Sequence, residues 1–148
     1  MRMGERLPSD RHVLRAGVRD RHGPEEPIGL DFHRSDEDKK TGRVTVWDRD
    51  RTTPEQVLSM VRHPEGRPVL DIAVSEIESR GYKKLGYGEQ ADMIVVRDPL
   101  PCEDRKKPGA DGHCGIEGLI RPPGVDRTDY RELLDDLASA STIARRPS

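Results

Sequence analysis

Aromatic residues make up only 3% of this chain of 148: one Trp, three Tyr and one Phe. Base-stacking platforms for single-stranded nucleic acid need more of them. Cysteine is limited to Cys102 and Cys114, too few for a disulfide framework. No apolar run approaches the roughly 20 residues of a membrane span, and Met1 to His12 lack the apolar stretch of a signal peptide. A cytoplasmic protein with free thiols is therefore expected. An excess of charge is missing too. The net charge is −2 and the pI is near 6.2, whereas nucleic-acid and anionic-membrane binders show a marked basic excess. Another protein is the partner this balance leaves.

Charged residues make up 36% of the chain and hydrophobic ones 32%. Leu, Ile, Val and Phe together come to roughly a fifth, near the composition where disorder becomes the default. They are clustered, however, in 13–18, 44–47, 57–61, 69–77, 93–96, 116–120 and 130–137. That clustering predicts a modest ordered core, with flexible tails at 1–11 and 139–148 and one domain over 12–138.

Alternation over 12–19 predicts a strand with Leu14, Ala16 and Val18 on one face and Arg15 and Arg19 on the other. A second strand is expected at Arg43–Trp47, with Val44 and Val46 inward. Thr53-Pro54-Glu55-Gln56 is a capping box with proline at the first helical position, so a helix starts there and should run to His63–Gly66. Residues 68–74 form the next strand. Ser75 to Glu78 repeats the capping pattern, and Gly81 to Gly88 reads as a turn with two exposed tyrosines. Met93–Val96 and 113–120 complete about five strands. Asp126 or Thr128 caps a last helix with Tyr130, Leu133, Leu134 and Leu137 on one side. The order predicts an α+β fold, a small mixed sheet with two or three helices largely on one face. The charged run 33–42 and the segments 19–42 and 98–112 are expected to be loops, the latter two long enough to hold function.

Cys102, His113 and Cys114 offer thiolate and imidazole donors of the kind zinc takes, with Asp104 or Asp111 nearby. The spacing is poor, because adjacent His113 and Cys114 diverge if they lie on a strand, so no metal is expected. A Cys114–His113 nucleophile pair suffers from the same divergence. Asp71, Glu76 and Glu78 with Lys83 and Lys84 lack the order of an acidic nuclease site. No cofactor motif is present.

Leu14-Arg15 on the first strand, Thr53-Pro54-Glu55, and Asp98-Pro99-Leu100-Pro101 followed by His113 together resemble a group of small uncharacterised bacterial proteins, from which this chain departs by inserting Cys102 to Gly112. That resemblance implies no activity. A fainter one is to ADP-ribosyltransferase-like toxins, in which a strand-borne arginine, a hydroxyl-bearing strand and a catalytic glutamate follow in order. Arg15, Thr45 and Glu117 occur in that order, although Thr45 lacks the flanking hydroxyls. The leading expectation is a non-enzymatic accessory or protein-interaction module of a bacterial cytosolic system. The alternative is a small enzyme, either a degenerate NAD-dependent ADP-ribosyltransferase on Arg15 and Glu117 or a hydrolase using His113.

Overall fold

Six short strands and four helices are present in the computed structural model, which describes residues 4–18, 26–90, 92–98 and 110–146. The strands are β1 (His12–Ala16), β2 (Val44–Asp48), β3 (Val69–Ala73), β4 (Ile94–Arg97), β5 (His113–Glu117) and β6 (Thr142–Arg145). They form one sheet in the order β4-β5-β2-β1-β3-β6, and every neighbouring pair is antiparallel. The fold is α+β as expected, but the sheet has six strands rather than about five and its pairings are antiparallel rather than mixed. The sixth strand lies in the expected C-terminal tail.

The helices are α1 (Asp36–Thr41), α2 (Pro54–Ser59), α3 (Val74–Glu78) and α4 (Arg127–Ser139). Thr53 caps α2 as its sequence requires: its hydroxyl accepts from Gln56 N–H at 3.2 Å, and Gln56 reaches back to Thr53 N–H at 3.0 Å. The helix ends at Ser59, short of the proline expected to stop it. Ser35 caps α1 within the charged run expected to be a loop, accepting from Asp38 N–H while the Asp38 carboxylate returns to Ser35 N–H. A reciprocal cap of this kind satisfies two otherwise orphaned amides. α3 lacks the predicted cap, since its N-cap is Ala73, two residues before Ser75. Asp126 caps α4 by accepting from Thr128 N–H at 2.7 Å.

Both faces of the sheet are covered. Val13, Val44, Val46, Leu70, Ile72, Val95, Cys114 and Ile116 point into the main core, where α3 adds Val74 and Ile77 and α4 adds Tyr130, Leu133, Leu134 and Leu137. Each of those leucines contributes about 1.5–3 kcal/mol by burial. α4 crosses this face and carries the chain from β5 to the far edge at β6. The opposite face carries a smaller cluster of Leu14, Ala16, Trp47 and Val69 under Val57 and Leu58 of α2. α2 is thus the helix that departs from the one-face expectation.

Tyr82 corrects another expectation. Its ring is buried in the main core and its hydroxyl donates to Leu119 C=O at 2.6 Å, and burial raises its pKa above the ordinary tyrosine value. Tyr87 is half-buried and donates to Asp129.

The N-terminal segment, expected to be a free tail, runs along β4. Leu7 N–H donates to Val95 C=O, Arg97 N–H to Glu5 C=O and Gly4 N–H to Arg97 C=O, each at 2.8 Å. Leu7 is buried in the main core. No helix is long and apolar enough to cross a membrane among the described residues.

Candidate functional site

Four strand ends meet at one end of the sheet: β2 finishes at Asp48, β4 at Arg97, β5 begins at His113, and β1 begins at His12 directly after Arg11. The antiparallel register sets Val13 opposite Asp48, Trp47 opposite His113 and Cys114 opposite Arg97. Asp48 is fully buried, and a buried carboxylate must be paired and hydrogen-bonded. Its Oδ2 accepts from Arg11 Nη1 at 3.0 Å and from Arg97 Nη2 at 3.1 Å, and its Oδ1 from Asp50 N–H at 3.0 Å. Arg51 Nε lies 4.0 Å from the same Oδ2, outside hydrogen-bond distance. Arg11 also reaches Asp50, Nε to Oδ2 at 3.2 Å.

His113 and Cys114 stand at this end on opposite faces of β5. The His113 ring meets Trp47 edge to face, with centroids 5.6 Å apart, while Cys114 enters the main core. His113 Nδ1 hydrogen-bonds Asp98 C=O. A carbonyl only accepts, so Nδ1 carries a proton and is the donor. Burial pushes the Cys114 thiol up to about 12, and a thiol so raised stays protonated and unreactive at neutral pH. With Cys102→Ser in place, iodoacetamide at pH 8 should leave Cys114 unmodified until urea unfolds the chain. Labelling at the rate of a free thiol would contradict its burial.

A second buried arginine lies on the main-core face. Arg15 Nε donates to Asp31 C=O at 3.0 Å, Nη1 to Thr45 C=O at 2.7 Å and Nη2 to His33 C=O at 2.8 Å, with Asp38 Oδ2 3.5 Å from Nη1. Burial lowers its pKa and the Asp38 carboxylate opposes that shift. Asp38 in turn accepts from Thr45 N–H at 3.2 Å and Thr45 Oγ1 at 2.9 Å. Arg15 therefore ties the 31–38 segment to β2 through three carbonyls. The alternation expected to turn Arg15 outward is overridden because both faces of β1 are buried.

The candidate catalytic residues Arg15, His113 and Glu117 are not brought together. Glu117 sits at the far end of β5 from His113, about 13 Å along the strand. Its carboxylate takes Arg43 Nε at 3.1 Å and Nη2 at 3.0 Å. Arg43 lies across Gly115, where a Cβ would meet Arg43 Cβ at 2.7 Å. Of the candidate metal ligands, Cys102 lies outside the described residues, His113 and Cys114 diverge, and no cluster of three His, Cys, Asp or Glu occurs among the described residues. Asp71 takes His12 and Arg49, Glu76 takes Arg80, Glu78 takes Arg6 and Ser9, and Lys83 takes Asp92, so these charges are dispersed in separate pairs.

Sequence reading missed Asp48, Arg97, Arg11 and Arg51. The only local signal is the alternation Asp48-Arg49-Asp50-Arg51 after a strand, which in isolation is indistinguishable from a solvated turn.

No protein-family model, curated protein or solved structure matches the chain.

Proposed function

We propose that the chain is a non-enzymatic protein-interaction module whose contact edge is β6. The observation that carries this reading is the asymmetry of the sheet's two edges. The β4 edge is closed by residues 4–7 through main-chain hydrogen bonds, whereas, among the described residues, β6 is the last strand in the order and pairs on one side with β3. A sheet edge offers unpaired N–H and C=O groups to an added strand.

The hydrogen-bond phase indicates which groups face out. Gly17 N–H bonds Pro68 C=O and Val74 N–H bonds Arg11 C=O, so Leu70 bonds back to β1 and Asp71 forward to Thr142. Ile143, opposite Leu70, then directs its N–H and C=O away from the sheet. The strand has four residues and a register shift beside it, features that discourage open-ended stacking and favour one short partner strand. In support, the reactive candidates Arg15, Glu117 and Cys114 are engaged in internal bonds or buried.

A photoreactive residue at Thr142 or Ala144, both exposed, should cross-link one protein in the native host, while one at exposed Lys40 on α1 should not. Thr142→Lys with Ala144→Lys should abolish the adduct. Equal cross-linking at all three positions, or none together with unprotected exchange of the Ile143 amide in host extract, would overturn the reading.

A further inference from the structure

The arginines around Asp48 exceed what its carboxylate and that of Asp50 can pair. Among the described residues, three guanidinium groups, Arg11, Arg51 and Arg97, face two carboxylates, leaving one positive charge in excess. Arg97 is the least exposed, with 7% of its side chain accessible. One of its nitrogens bonds Asp48, but Nη1 is buried with no hydrogen-bond partner among the described residues. A buried charged donor without an acceptor is the exception in folded proteins and calls for an acceptor to meet it. Asp48 does not supply it: its oxygens take Arg11, the Asp50 N–H and the other terminal nitrogen of Arg97, at 3.0–3.1 Å. Arg51, with 40% of its side chain exposed, stands at the solvent side of the same carboxylate without bonding it.

We propose that this cluster is a binding site for a small oxoanion of the phosphate or carboxylate class, held between Arg97 Nη1 and the Arg51 guanidinium. Three observations converge on it. Arg11 and Arg97 bond one oxygen, Asp48 Oδ2, and Arg51 Nε lies 4.0 Å from it, so the three guanidinium groups are gathered around a single atom. One donor is buried and unpartnered. The planar forks of arginine match oxoanions in two-point contacts, and a monoanion cancels the excess charge. Asp48 is the positioning residue: it fixes Arg97 and Arg11 and leaves Nη1 of Arg97 for the anion. This site is built from β2, β4 and the start of β1, none of which pairs with β6, and it does not depend on the β6 edge.

Inorganic phosphate and sodium acetate, each titrated into the full chain at constant ionic strength set with chloride, separate the two anion sources. Saturable shifts of the Arg51 and Arg97 Nε–Hε resonances, with a rise in melting temperature, are expected for at least one of them. Arg51→Gln should weaken that response at least tenfold while leaving the melting temperature without added anion nearly unchanged. A response equal to that of chloride, no response to either anion, as expected if an ordered water alone meets Nη1, or an undiminished response in Arg51→Gln would each overturn the proposal.

Discussion

Replacing Arg15 by methionine should cost about 3–5 kcal/mol of folding stability, the usual penalty for removing one partner of a buried ionic and hydrogen-bonded group. Domains of this size are stable by about 5–15 kcal/mol in total, so Arg15→Met should lower the urea midpoint severely or leave the chain unfolded. The reason lies in what is stranded. Asp31, Thr45 and His33 each lose a donor to their carbonyl oxygens, and Asp38, almost fully buried, loses its cation. Methionine fills a comparable volume, so packing alone predicts a small effect. Arg15→Lys separates the two accounts further: it keeps the charge but lacks the planar fork that reaches three carbonyls. It should fall between wild type and Arg15→Met in urea denaturation. A loss under 1 kcal/mol for Arg15→Met would show that the carbonyls find other donors.

Asp48→Asn should be comparably damaging, by about 3–5 kcal/mol. The substitution preserves shape but removes the charge that Arg97 and Arg11 share, and Arg97 has little access to water in which to recover. Removing both charges should be milder. The double variant Asp48→Leu with Arg97→Met should recover part of the loss, because replacing a buried ion pair by apolar groups is often close to neutral. Chemical denaturation of the single and double variants gives the coupling between the two sites. If the double variant is no more stable than Asp48→Asn, Asp48 acts through the Asp50 turn rather than through the arginine.

How much of this was legible in the sequence follows from the range of each interaction. Thr53 and Asp126 could be read because a cap is a contact between residues two or three apart. The face of α4 could be read because Tyr130, Leu133, Leu134 and Leu137 repeat at helical spacing. α1 was hidden because its box closes with Asp38 in place of the commoner Glu or Gln, within a run whose charges suggested solvent. β6 and residues 4–7 were hidden for a different reason. Neither carries a strong apolar pattern, and each is ordered by main-chain bonds to a strand about 70 or 90 residues away, Asp71 for Thr142 and Val95 for Leu7. Of the candidate site, His113 was singled out, but the carboxylate and the arginines beside it were not. A charge destined for burial is written with the same letters as one destined for water, and only the strand order decides between them.

That strand order also dictates a timetable. Residues 4–7 close an edge that does not exist until β4 has been synthesised, and β3 has no outer neighbour until Thr142 to Arg145 have followed α4. The central pairings are distant as well, with Val44 opposite Ile116. Long-range pairing of this kind slows folding and prolongs the exposure of unpaired strands. On the ribosome, residues 4–7 dock only after β4 has emerged, and β3 waits with one side bare until β6 reaches it.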